Sequence, residues 1–145
     1  MFKTLIVEDN AAFRRSLTDM LRAKYPAMLV AQSENIGQAW YKIFEIKPDL
    51  VFVDIKLQEE NGLDLTQMIR ESHPDILVAV ITSSNFPEYR QAAYHNGAHY
   101  FIPKSAATSS DILMLIDSIQ TGQPPQWSLG SEFINPSSHM PSWKK

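Results

Sequence analysis

Five short apolar runs, each separated from the next by a stretch with helical period, constrain this chain more than any other feature of its sequence. They are Thr4 to Val7, Met28 to Ala31, Leu50 to Val53, Ile76 to Ile81 and Tyr100 to Ile102. Three of them are continuous Val/Ile/Leu/Phe runs, as expected for parallel strands buried on both faces, and the outer two read as sheet edges. Between the runs, Phe13, Leu17, Met20 and Leu21 fall on one helical stripe, and so do Ile36, Ala39, Trp40, Ile43 and Phe44. Leu65, Met68 and Ile69 mark a third helix, Tyr89, Ala92 and Ala93 a weakly apolar fourth, and Ile112, Leu115, Ile116 and Ile119 a fifth. Asn10 is placed to cap the first. Right-handed crossovers with helices on both faces then give an α/β fold: a doubly wound (βα)5 chain whose five-stranded parallel sheet has the order 2-1-3-4-5. Ligands of such a sheet gather at the C-terminal ends of its strands.

The 145 residues suit one compact domain. A net charge of −3 gives no general attraction to nucleic-acid phosphates or anionic lipid. The absence of cysteine excludes disulfides, thiolate zinc sites and thiol nucleophiles. No apolar run approaches a membrane span and the N-terminus lacks a signal-peptide layout, so a cytoplasmic protein without membrane contact is expected. After Gly122 the period is lost, so the domain is expected to occupy residues 1–121 and residues 122–145 to be a tail or linker. Within it, Gly130-Ser131-Glu132-Phe133 reads like translated cloning sites, Ser138-His139-Met140 looks similar, and Trp127 and Trp143 are isolated aromatics.

Glu8 and Asp9 follow the first strand and Asp54 ends the third, so three carboxylates from neighbouring strands share one edge. Like charges this close raise one another's pKa unless a divalent cation with oxygen preference sits among them, which makes magnesium the natural cofactor. Thr82 ends the fourth strand and Lys104 follows the fifth, adding a hydroxyl and an ammonium that can hold an anion's oxygens. Singly, each has a plain reading: the acids as turn or cap residues, Thr82 as a strand former, Lys104 as a solvated charge. Together, on the one edge where this topology binds ligands, they describe a phosphoryl site.

Leu5-Ile6-Val7-Glu8-Asp9-Asn10, Pro48 to Ile55 with Asn61-Gly62-Leu63 downstream, Ile81-Thr82-Ser83, and Gly97-Ala98 before Lys104 together resemble the receiver domain of bacterial two-component response regulators, from residue 2 to about residue 121. That resemblance implies a flavodoxin-like fold in which Glu8, Asp9, Asp54 and the backbone carbonyl of Lys56 bind Mg2+, and Asp54 accepts a phosphoryl group from a sensor histidine kinase. It implies a phosphorelay switch that assists only its own phosphorylation and dephosphorylation and is otherwise no enzyme. Thr82 is then drawn to the phosphoryl group, and Phe101 turns inward to remodel the face of the fourth helix, fifth strand and fifth helix. Spacing alone reads Phe101 as an edge-strand core residue. Lys56 and Ser84 flank the path of hydrolytic water and are expected to tune the phosphoryl lifetime.

Several positions depart from the family pattern. Gln58 stands where the family usually has Pro, Phe101 where Tyr is common, and Ser105 where Pro more often follows the lysine. Receivers that end in this way resemble those preceding a LuxR/NarL-type helix-turn-helix module, so an output domain or effector partner, for transcription above all, is expected. Leu113 and Met114 exceed what one buried stripe needs and are placed to meet a second copy, with core packing as the plainer account. The alternatives are a phosphorylation-independent pseudo-receiver and an aspartyl-nucleophile phosphatase. The second would want an Asp general acid where this chain has Lys56.

Overall fold

The computed structural model describes residues 1–137; Ser138-His139-Met140 and Trp143 lie outside the described residues. Strands and helices follow as β1 (Lys3–Val7), α1 (Ala11–Lys24), β2 (Leu29–Ser33), α2 (Ile36–Ile46), β3 (Leu50–Val53), β4 (Lys56–Leu57), β5 (Glu60–Asn61), α3 (Gly62–Ser72), β6 (Leu77–Thr82), α4 (Pro87–His95), β7 (Tyr100–Pro103) and α5 (Ser109–Thr121). Five strands pair in parallel in the order β2-β1-β3-β6-β7, which is the expected 2-1-3-4-5 once the small antiparallel β4–β5 hairpin is set aside. As expected, β2 and β7 are its edges. All peptide bonds of the described chain are trans, Lys104–Ser105 included. Among the described residues no helix is long and apolar enough to cross a membrane.

Helix starts follow from side chains that satisfy otherwise orphaned N–H groups. The Asn10 side chain accepts from the Phe13 N–H at 3.0 Å and Asn61 from Leu63 at 2.8 Å. Thr108 and Asp111 form a reciprocal capping box at α5. Strand alternation sorts the core into two layers. Leu5, Val7, Val51, Val53, Val78, Val80 and Phe101 meet Ala39, Ile43, Leu65, Ile69 and Ala93 of α2, α3 and α4. On the opposite face Ile6, Phe52, Ala79, Ile81, Tyr100 and Ile102 meet Leu17 and Leu21 of α1 and Ile112, Leu115 and Ile116 of α5.

One residue of the α2 stripe lies outside this core. Phe44 is 57% exposed, because Ala39 and Ile43 carry the buried line of α2. The Phe44 and Trp40 rings instead meet His73 edge-on at the end of α3, with centroids 5.1 and 5.7 Å away.

Past Gly122, where the loss of period reads as the end of the domain, the chain folds back over α5 and the free edge of β7. Ser128 donates through both its N–H (2.8 Å) and its hydroxyl (2.6 Å) to Asp111 Oδ1. Burial alone would raise the Asp111 pKa, but these bonds and those from Thr108 outweigh it and hold the carboxyl below its ordinary value. Trp127 stands edge-on to Tyr100, and Phe133 stacks on Phe101 with centroids 6.4 Å apart. Ile134 bridges Tyr100 antiparallel, and Asn135, 2% exposed, donates from its N–H to the His99 carbonyl and from Nδ2 to the Ala98 carbonyl. The physical reason is the edge itself: β7 offers unpaired backbone groups and two large rings that need cover. Isolated aromatics at irregular spacing provide that cover without producing a period.

If this segment is an integral layer of the fold, Phe133→Ala should cost about 2–3 kcal/mol and Phe133→Leu under about 1.5 kcal/mol. Urea unfolding of the full chain measures both, and an unchanged midpoint in Phe133→Ala would show that the segment adds nothing to stability.

Candidate functional site

Parallel pairing brings the C-terminal ends of all five strands to one edge, and the expected acidic, hydroxyl and lysine residues stand there. Backbone bonds across the strand ends fix their relative heights: the Asp54 N–H donates to the Val7 carbonyl at 3.0 Å and the Lys104 N–H to the Thr82 carbonyl at 2.7 Å. Gly62 makes room for the third strand's acid, since a Cβ at that position would sit 1.9 Å from the Asp54 carbonyl oxygen. This close approach accounts for the glycine of Asn61-Gly62.

Glu8, Asp9 and Asp54 each bring a carboxylate oxygen within 4.8 Å of the others. The Lys104 ammonium bonds Glu8 Oε1 at 2.5 Å and Asp54 Oδ2 at 3.1 Å. It also lies over the Phe13 ring, 4.1 Å from the centroid, a cation–π contact that sequence reasoning missed. Burial pushes the Glu8 carboxyl up to about 7; bonds from Lys104 and the Asn10 N–H oppose this, and Asp54 adds to it. For Lys104 burial works downward, but its bonds to Glu8 and Asp54 prevail and its pKa is raised.

Three acids against one ammonium leave an excess of negative charge on an all-oxygen donor set. Those donors fit a hard divalent cation such as Mg2+.

The remaining predicted residues take distinct places. Thr82 is buried, and its Oγ1 accepts from the Ser84 N–H at 3.3 Å, leaving the Thr82 hydroxyl proton for another acceptor. Ser84 is half-buried, whereas the Lys56 side chain is exposed; the Lys56 N–H donates to Asp54 Oδ1 at 3.3 Å. Phe101 does not stand outward ready to turn in. It is already 0% exposed, in the core layer with Val80, Ala93 and Ala98 and with the Phe133 ring stacked on it.

Two further contacts escaped sequence reasoning. Arg14 donates to the Glu8 carbonyl at 2.7 Å and to Gln32 Oε1 at 3.2 Å, and pairs with Glu34 at 3.3 Å. Its position one turn past the Asn10 cap, next to Phe13, was the available signal. The Gln58 N–H donates to Asp9 Oδ2 at 2.9 Å, a contact that no sequence signal announced.

Comparison with known proteins supports the same reading. Residues 4–116 match the family model described as the response regulator receiver domain. Among curated relatives, the oxygen regulatory protein NreC of Staphylococcus haemolyticus is 29% identical over 92% of this chain and 64% of its own length. The response regulator GacA of Pseudomonas syringae is 29% identical over 85% of this chain and 57% of its own. The chain therefore spans about six-tenths of the length of these relatives. In fold, it is similar to a two-component response regulator from Clostridium difficile, with a TM-score of 0.77, 22% identity, and coverage of 83% of this chain and 97% of that one. It is also similar to a LuxR-family DNA-binding response regulator from Staphylococcus aureus, with a TM-score of 0.71, 23% identity, and coverage of 83% and 98%.

The Glu8 shift makes stability depend on pH. Because its folded pKa of about 7 lies above the ordinary 4.5, the folded chain holds a proton that the unfolded chain releases between those values. The stabilisation is complete below pH 4.5 and is lost as pH rises through 7. In metal-free buffer the melting temperature should therefore fall from about pH 5.5 to about pH 8, and Glu8→Gln should remove most of that slope, gaining on the order of 2 kcal/mol at the upper end. Thermal melts in chelator check this, and an equal slope in both proteins would refute it.

Proposed function

The chain belongs to the response regulator receiver domain family, and within that family we propose that Asp54 is the phosphoacceptor of a phosphorelay switch whose donor is a histidine kinase. The observation that carries this is the Lys104 ammonium, held at 3.1 Å from an Asp54 oxygen inside a cluster of three carboxylates.

In the proposed step an Asp54 carboxylate oxygen attacks phosphorus, the P–N bond of a phosphohistidine breaks, and the leaving imidazole takes up a proton. The product carries about two negative charges and three acceptor oxygens where a carboxylate stood. Lys104, anchored by the Thr82 carbonyl and by the Phe13 ring, is placed to hold one of these oxygens, and the Thr82 hydroxyl to donate to another. Glu8, Asp9, Asp54 and the Lys56 carbonyl would hold Mg2+, which when bound neutralises charge that develops on the transferred group. The exposed Lys56 side chain and half-buried Ser84 flank the site and are assigned the tuning of hydrolysis. Turnover on phosphate esters is not expected, because Lys56 stands where an aspartyl phosphatase would keep a general acid.

The curated relatives are longer proteins named as regulators, and the transcriptional regulatory protein LnrK of Bacillus subtilis matches over 63% of its length. We assign this chain the same use: phosphorylation communicated to an output domain or effector, with Leu113 and Met114 available to a second copy and no contact with nucleic acid or membrane by this segment.

Intact mass after incubation with acetyl phosphate tests the assignment. One phosphoryl group should appear in wild type with Mg2+, none with chelator and none in Asp54→Asn. Lys104→Ala should slow labelling by about 100-fold or more. Labelling that persists in Asp54→Asn would overturn the assignment.

A further inference from the structure

The β4–β5 hairpin carries Gln58, one of the departures from the family pattern. Its strands pair Lys56 with Asn61 and Leu57 with Glu60, so Gln58 and Glu59 form a two-residue turn. Gln58 has φ 56, the left-handed region, at the first of the two central turn positions, where hairpins of this kind ordinarily use glycine. Proline, with φ fixed near −65°, could not take this conformation and has no N–H to offer.

That strained backbone aims the Gln58 N–H at Asp9 Oδ2, 2.9 Å away. The far side of the hairpin is also pinned, since Glu60 Oε1 accepts from the Ile36 N–H at the start of α2 at 3.0 Å. Lys104 bonds Glu8 and Asp54, and among the described residues no cation stands within 4.0 Å of the Asp9 carboxylate. Asp9, half-buried at the rim, is thus the carboxylate that mutual repulsion would drive out to water.

We propose that Gln58 is a positioning residue for the divalent cation: its backbone N–H, aimed by the left-handed turn, holds one Asp9 oxygen inside the cluster and leaves the other free as a ligand atom. This rests on the cation-site reading given above. A hydrogen bond to a carboxylate also withdraws some negative charge, which by itself weakens cation binding. Preorganisation prevails because the alternative is a side chain swung out of a site that already repels it, and the ordering cost would then fall on the binding step.

The test compares Mg2+ titration by calorimetry on wild type, Gln58→Gly and Gln58→Pro. Gly keeps the N–H and the left-handed backbone and should bind within about twofold of wild type. Pro removes both and should bind about tenfold more weakly. In acetyl phosphate labelling, the half-saturating Mg2+ concentration of Gln58→Pro should rise by the same factor while the rate at saturating Mg2+ stays within about twofold, a split that a general folding defect would not give. Unchanged or tighter binding by Gln58→Pro overturns the proposal, and so does a loss in Gln58→Gly as large as that in Gln58→Pro.

Should Gln58→Pro fail to fold, the amide resonance of Gln58 in metal-free protein replaces it. That resonance should lie downfield and move upfield in Asp9→Asn, and a resonance indifferent to Asp9→Asn overturns the proposal. Wild type that binds no Mg2+ would instead refute the cation-site reading, while the resonance still decides whether Gln58 holds Asp9.

Discussion

Lys104 holds together a cluster that would otherwise repel itself. Three carboxylates from two strand ends converge within 4.8 Å, and the one ammonium among them bonds two. At this separation repulsion in a partly buried site amounts to several kcal/mol, and Asp54 adds to the upward push that burial, the larger cause, puts on the Glu8 carboxyl. The fold tolerates this because the strands carrying the acids are buried on both faces by apolar layers. Their ends are fixed by backbone bonds on which the acids have no influence, such as that from the Asp54 N–H to the Val7 carbonyl. Stability is generated in the sheet and spent at its C-terminal edge, so a site this charged is found there and not in the middle of a helix.

The second edge of interest is β7. Its four residues are fully buried although the strand has a sheet neighbour on one side only. Residues 127–135 account for the difference, with Trp127 on Tyr100, Phe133 on Phe101 and Ile134 on the backbone. Among the described residues no further strand pairs with the opposite edge, β2, and its Leu29 is exposed. The β7 part of the face that the receiver resemblance assigns to output is therefore covered in this chain by its own residues.

How much of this was legible in the sequence follows from which forces leave a pattern. Strands buried on both faces must be continuously apolar and amphipathic helices must repeat every three to four residues, so the five-fold alternation and the sheet order could be read directly. The acids, Thr82 and Lys104 were legible because topology sends every strand end to one edge. The β4–β5 hairpin was not, since its residues are mostly exposed and its two backbone rungs need no hydrophobic period. Nor was the packing of residues 123–137, whose contacts come from single rings, one serine, one strand bridge and one buried asparagine, at no regular spacing. Phe13 and Arg14 lay on a helix already assigned to the core, and a stripe does not tell which of its members reaches past the core to a neighbouring loop. Phe44 shows the converse: it shares the stripe of Ile36, Ala39 and Ile43, yet α2 buries only part of that stripe.

A switch built on this site has to move something, and the geometry limits what can move. Thr82, the last residue of β6, and Lys104, the first past β7, are joined by a backbone hydrogen bond of 2.7 Å, and the two strands are in register with Thr82 opposite Pro103 and Val80 opposite Phe101. On the proposed reading, a phosphoryl group recruits the Thr82 hydroxyl and the Lys104 ammonium together and so pulls on both sides of one rung. Two charge-assisted hydrogen bonds contribute about 3–6 kcal/mol, against the roughly 5.5 kcal/mol that inverting a 1:99 equilibrium requires. Only the upper end of that range reaches one discrete rearrangement, and nothing is left for a second. Phe101 cannot go from exposed to buried, because it is buried at the outset. The rearrangement open to it is to shift against Phe133, which Arg90 also covers at 5.4 Å. Any signal passing through Phe101 must therefore be read as a change in how residues 127–135 sit on β7 and α4.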